Sequence, residues 1–223
     1  MLQDLPPPSG LYDPRFEHDS CGVSFVVDMR GRASHSIVVK GLDALCSMEH
    51  RGATGAETQT GDGAGILLQI PHRFLADVAG FSLPQVGSYG VGLAFLPRDE
   101  ELARKARANI ESRVIQEHLS PLGWRTVPVN PSCLGASALR VMPSFEHFFV
   151  GDPSGARTID LDRRLFIVRK RVEHELPAEQ STYFPSLSSR TLIYKGMLTT
   201  PELAIFFEDL KDERIESALV LVC

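Results

Sequence analysis

Six short apolar runs alternate along the chain with stretches patterned as helices, and this order predicts a layered α/β or α+β fold. The runs are CGVSFVVD (21–28), ILLQI (66–70), SYGVGLAFL (88–96), WRTVPV (124–129), a short piece within 187–198, and SALVLVC (217–223). Pro128 keeps the fourth run to a sheet edge, because proline cannot donate to a central ladder. Residues 38–49 read as a helix with Val38, Val39, Leu42, Leu45 and Met48 near one face and Gly52 as its stop. Residues 98–119 read as the longest helix, with Asp99, Glu100 and Glu101 at its start and Leu102, Ala106, Ile110 and Val114 as its buried stripe. Residues 160–175 fit a helix or a strand, with helix the preferred reading. Thr200-Pro201 opens a last helix, with a cap and a proline at its first position, running to about Leu210.

The 223 residues suffice for one large domain or two small ones. The formal charge is −5 and no basic stripe stands out, which argues against nucleic acid as a partner. Arg163-Arg164 and Arg169-Lys170-Arg171 are separated by apolar residues and read as the solvated face of a helix or strand. No apolar run approaches the roughly 20 residues that span a bilayer, so no membrane is expected. The first residues lack the basic start and apolar stretch of a secretory signal. Cys21, Cys46, Cys133 and Cys223 are too scattered for a disulfide framework, so a reducing cytoplasm is expected.

Residues 1–20 hold four prolines and many polar groups and read as an irregular leader. The character changes at Cys21. A lone cysteine at a strand start is ordinarily a small buried hydrophobe. Here, cleavage of the Ser20-Cys21 bond would leave an N-terminal cysteine with two useful groups. Its thiol is an intrinsically strong nucleophile. Its free α-amine, with an ordinary pKa of about 7.7–8.0, is close to what a general base needs at neutral pH. With the leader attached, that nitrogen is an amide and cannot serve.

His50-Arg51-Gly52 has two readings: a helix end whose charges meet terminal carbonyls, or a site where Arg51 grips a carboxylate. Thr60-Gly61-Asp62-Gly63-Ala64-Gly65 fits neither the phosphate-loop nor the dinucleotide pattern. It reads equally as a tight turn with positive φ or as a loop whose backbone closely approaches an active site. Cys46 and His50 have i, i+4 spacing, with Cys133 and His147 far along the chain. No paired-cysteine motif supports zinc, and no metal is expected.

Three segments together carry a recognisable pattern: LYDPRFEHDSCGVSFV (11–26), MEHRGATGAETQTGDGAGILLQIP (48–71) and YFPSLSSRTLIYKGML (183–198). The pattern resembles the class II glutamine amidotransferase domain at the start of glutamate synthase large subunits, in order and spacing over nearly the whole chain. Amidophosphoribosyltransferase, asparagine synthetase and glucosamine-phosphate synthase begin with Cys-Gly but usually lack the TGDGAGI loop and the long middle region.

The resemblance implies an α+β fold, a four-layer αββα N-terminal-nucleophile hydrolase sandwich incomplete at its C-terminal side. It implies a leader over residues 1–20 and an amidotransferase domain over 21–223. Cys21 would attack the side-chain amide of glutamine and form a thioester, with ammonia passed to 2-oxoglutarate in the full enzyme. Arg51, Gly52, Asp62 and Gly63 would line the substrate pocket. FMN and an iron–sulfur cluster belong to the full-length enzyme, with no cofactor expected in this chain. The implied partners are glutamine, the remaining glutamate synthase domains and a small flavin/NADPH subunit. In the family, the strand matching ALVLVC continues into a motif whose arginine holds the glutamine carboxylate and then an Asn-Gly pair that forms the oxyanion hole. This sequence has Cys223 where the family has the first histidine of that motif. The alternative expectation is therefore a catalytically inactive remnant or binding module.

Overall fold

The computed structural model describes residues 10, 22–49, 61, 63–177 and 182–223. It contains two antiparallel sheets with helices packed against each, consistent with the expected αββα class. The first sheet has the order β1-β7-β2-β6, from Ser24–Val27 (β1), Leu219–Val222 (β7), Ala64–Gln69 (β2) and Thr191–Gly196 (β6). The second has the order β3-β5-β4, from Tyr89–Leu96 (β3), Ser144–Gly151 (β5) and Ser120–Thr126 (β4). The segment before β6 bridges to the free edge of β3 at Phe95–Tyr183 and Val91–Ser188, which links the two sheets.

Strand alternation decides which face of the first sheet is buried. Ile66, Leu68, Leu192, Tyr194, Val220 and Val222 point to one side and are fully buried. Helix α1 (His35–Ser47) lies on that side over β7 and β1, burying Ile37, Val38 and Leu45. Gly41 makes the approach possible, because a Cβ there would stand 2.4 Å from Val220 Cγ2. The opposite side carries the row Phe25, Leu221, Leu67 and Ile193. Phe25 is 66% exposed on that side. β1 is thus an edge strand with one exposed face.

The second sheet is covered on both sides. Tyr89, Val91, Leu93, Phe145, His147 and Phe149 face the core shared with the first sheet and with α2 (His72–Val78). Its other face meets α3 (Glu100–Gln116) and α5 (Thr158–Glu175) through Ala94, Leu96, Phe148 and Val150. Asp99 caps α3 by accepting from Leu102 N–H at 2.9 Å. The buried stripe of α3 is Ala103, Ala106, Ile110 and Val114; Leu102, expected in it, is only partly buried, and Ala103 takes its place. Residues 160–175 are helical. Their arginines do more than meet solvent. Arg164 donates to the carbonyls of Glu117 and His118 at 2.6 and 2.9 Å, satisfying the C-terminal end of α3. Arg171 bonds Glu117 and Glu175.

β4 is an edge strand, as expected, but begins four residues earlier than its apolar run and shifts register between Pro121 and Gly123. After α4 (Ala136–Val141) and the later strands, the expected helix from Thr200 to Leu210 is two pieces. They are α6 (Glu202–Phe206) and a 3-10 turn at Glu208–Lys211. Phe207 leaves helical geometry to bury its ring against Phe145, Tyr194 and Phe206. Thr200 does not cap α6; its hydroxyl lacks a partner among the described residues, and Glu202 reaches back to Thr199 N–H at 2.9 Å instead.

Candidate active site at the end of the first sheet

Antiparallel pairing brings four strand ends to one edge of the molecule. Ser24 pairs with Val222, which sets residue 23 beside Cys223 one step further on. Cys223 and Gly65 exchange two backbone hydrogen bonds, of 2.8 and 3.2 Å. Gly65 pairs in turn with Lys195. The start of β1, the end of β7, the start of β2 and the end of β6 therefore form one row: Val23, Cys223, Gly65, Lys195. Gly22, just before this row, lies against Met48, which follows α1.

The glycines of this corner are required by geometry. A Cβ on Gly61 would lie 2.5 Å from the carbonyl oxygen of Leu198, inside any permitted contact. Gly63 has φ +137°, a region that L side chains rarely adopt. Of the residues expected to act here, Gly63 is placed in this corner. Cys21, Arg51, Gly52 and Asp62 lie outside the described residues. So does His50, whose pairing with Cys46 was the weak metal reading.

A cavity of about 510 Å³ opens on the uncovered face at this end, with Gly63, Gly65, Tyr183, Lys195, Leu221 and Cys223 among its walls. Its size falls in the ordinary range for small-molecule sites, roughly 300–1,000 Å³. Among the described residues Lys195 is the one charged side chain lining it, and its ammonium stands 5.7 Å from the Tyr183 ring centroid. A smaller apolar cavity of about 160 Å³, with Leu134, Val141 and Phe206, shares Phe95 and Met197 with it but offers no group for chemistry.

Behind this end lies a buried polar cluster. Arg125 on β4 donates twice to Asp209, at 2.6 and 2.8 Å. Tyr194 on β6 donates to the same carboxylate at 3.0 Å. Arg125 also stands 3.2 Å from His147 Nδ1. Arginine has no acceptor, so His147 Nδ1 accepts and Nε2 carries the ring proton. Burial pulls the His147 pKa down to about 3, keeping the ring neutral. Burial likewise pushes the Tyr194 hydroxyl well above its ordinary range, and the adjacent Asp209 charge adds to this. The cluster ties the second sheet to β6, whose next residues, Lys195 and Gly196, line the cavity.

The sequence singled out neither group. Lys195 lies inside the third recognisable segment, in YKG, but a surface lysine has no local signature. The members of the cluster are up to 84 positions apart, and only the inward parity of His147 and Tyr194 on their strands hinted at them. Cys133 donates to the carbonyl of Asn130 at 3.3 Å and Cys46 is exposed on α1; neither joins His147. Among the described residues, no group of three His, Cys, Asp or Glu side chains is arranged to hold a metal ion. Nor is any helix of the described residues long and apolar enough to cross a membrane.

Comparison with known proteins decides the family. The profile of the class-II glutamine amidotransferases matches residues 21–223. The chain belongs to this family. It is 40% identical to the glutamate synthase [NADPH] large chain of Bacillus subtilis (strain 168), over 98% of the present chain and 14% of that protein. The large chain of Azospirillum brasilense is 39% identical, with 94% and 14% covered. Ferredoxin-dependent glutamate synthase 2 of Synechocystis is 40% identical, with 88% and 13% covered. The chain thus corresponds to the amidotransferase part of much longer glutamate synthases and spans about 14% of their length. The amidotransferase match begins at residue 21, the position of the cysteine.

Proposed function

We propose that the chain is a glutaminase module that hydrolyses glutamine to glutamate and ammonia, with Cys21 as nucleophile once residues 1–20 are removed. The observation that carries this reading is the family match beginning at Cys21, together with the strand-end corner reached from Gly22. In the proposed reaction the free α-amine of Cys21 takes the thiol proton. The sulfur then adds to the side-chain carbonyl carbon of glutamine. The protonated amine returns the proton to the departing nitrogen, the C–N bond breaks, and ammonia leaves a thioester. Water attacks the thioester, with the same amine accepting its proton, and glutamate departs as the thiol re-forms. Arg51, Gly52, Asp62 and Gly63 are proposed as pocket residues beside Cys21.

In a longer glutamate synthase the ammonia would pass to 2-oxoglutarate, and the electrons would come from flavin and iron–sulfur groups in the rest of that polypeptide or from a small flavin/NADPH subunit. The described residues include no cluster suited to such a centre.

The test is glutamine-dependent ammonia release by the processed chain and by its Cys21→Ser variant. Turnover by the first and its loss in the second is the expected outcome. Glutamine binding without turnover in either would favour the binding-module reading.

A further inference from the structure

The arginines of α5 divide between two faces of the helix. Arg164 and Arg171 turn towards the end of α3. Arg163 and Arg169 stand three residues before and after Phe166, where α5 and residues 186–188 line a cleft of about 370 Å³. Ile159, Phe166 and Leu187 form its apolar walls, and the first two are well exposed. The carboxylate in the cleft, that of Asp162, is already saturated. It accepts from Ser188 Oγ at 3.1 Å, from Ser189 N–H at 2.6 Å and from Arg190 Nε at 2.6 Å.

The donors are less well served. Arg169 lies over the Phe166 ring, 5.4 Å from its centroid, and gives Nη1 to the Pro185 carbonyl at 3.0 Å. Its Nε stands 3.6 Å from the Glu173 carboxylate, beyond hydrogen-bond reach. Among the described residues, five buried polar side-chain atoms lack a hydrogen-bond partner. Two of them, Arg169 Nε and Ser186 Oγ, belong to residues that line this one cleft. Unpaired buried donors are costly, and native folds normally satisfy them. The local charge leans the same way. Arg163, Arg169, Lys170 and Arg190 are set against Asp160, Asp162 and Glu173, four cations to three anions in a chain of formal charge −5.

We propose that this cleft is a second ligand site, which takes a small oxyanion carried on an aromatic body. The oxyanion, a carboxylate or a phosphate, meets the guanidinium of Arg169 with Arg163 beside it, and the ring lies against Ile159 and Phe166. A guanidinium offers a planar fork matched to such an oxyanion, and a neutral acceptor uses it less well. The cleft shares none of its described walls with the cavity at the end of the first sheet.

The test titrates the full chain with benzoate, phenyl phosphate, benzyl alcohol and inorganic phosphate while backbone amide resonances are followed. Benzoate or phenyl phosphate should displace the resonances of Phe166, Arg169, Ser186 and Leu187. Neutral benzyl alcohol and ringless inorganic phosphate should each bind at least about 10-fold more weakly than the better of these two, which also tells carboxylate from phosphate. Arg169→Gln should remove the preference over benzyl alcohol, and Phe166→Ser the preference over inorganic phosphate. Arg163→Gln, at an exposed position, should weaken the charged ring probes while keeping the parent spectrum elsewhere. Equal binding of benzoate, phenyl phosphate and benzyl alcohol would overturn the proposal. So would unchanged binding in Arg169→Gln and Arg163→Gln, displacements confined to other surfaces, or none with any probe. None of these readouts involves Cys21, so the glutaminase reading stands or falls separately.

Discussion

The two sheets are built for different purposes. The second is closed: α3 and α5 cover one face, the shared core covers the other, and the buried Arg125–Asp209 pair fastens it to β6. The first is open on one side, with Phe25 and Val27 standing 66% and 43% exposed, and its strand ends are rich in glycine. Stability is concentrated where side chains interlock. Chemistry needs the opposite, a place where backbone can be approached and a cavity can remain. The contrast predicts that substitutions in the closed region act on folding, while those on the open face leave folding alone.

The largest effect is expected at Asp209. Asp209→Ala leaves the Arg125 guanidinium buried without its carboxylate, which typically costs about 3–5 kcal/mol, read by equilibrium denaturation. A loss below about 1 kcal/mol would mean that the cluster does not fasten the sheets.

A second prediction concerns acid. His147 is neutral in the fold, with a pKa of about 3 against an ordinary value of 6.5, so the unfolded chain binds the extra proton first. Stability from this group is complete above about pH 6.5 and falls as pH drops towards 3, by up to about 1.4 kcal/mol per pH unit. Burial keeps the ring from charging and the Arg125 charge adds to this, while the Asp209 carboxylate works against both. Denaturation of the parent and of His147→Asn across pH 4–7 should show a shallower slope in the variant; parallel slopes would contradict the assignment.

Gly41 tests the packed side of the open sheet. Gly41→Ala gains helix propensity of roughly 1 kcal/mol but drives a methyl into Val220, and overpacking of this kind costs about 1–3 kcal/mol. A net loss is expected in thermal or chemical denaturation; a net gain would show that α1 can shift outward freely.

The smallest effect is expected at Phe25. Phe25→Ser on the uncovered face should change stability by less than about 0.5 kcal/mol, as exposed substitutions usually do. A loss comparable with that of Gly41→Ala would mean that the face is not open.

Much of this arrangement was legible because it depends on local pattern. The runs of β2 and β3, the acidic start of α3 and the apolar spacing of α1 each marked an element within a few residues of where it lies. Local pattern failed where tertiary burial overrode it. Phe207 breaks a helix that Thr200-Pro201 seemed to open, because the aromatic cluster offers its ring more than one further helical turn could. Ala103 replaces Leu102 in the stripe of α3, where packing against the second sheet and α5 decides which side chains are buried. The expected site residues came from motif resemblance alone; Gly63 lies in the strand-end corner, while Cys21, Arg51, Gly52 and Asp62 lie outside the described residues. Lys195 and the Arg125–Asp209–Tyr194–His147 cluster were hidden, since only sheet pairing brings such distant positions together.

The most direct measurement is peptide mapping by mass spectrometry after exposing the chain, processed in its native host, to a glutamine-mimicking diazoketone. The glutaminase account predicts one adduct, on the sulfur of an N-terminal Cys21. A folded chain that keeps residues 1–20 attached and shows no adduct at Cys21 would contradict it.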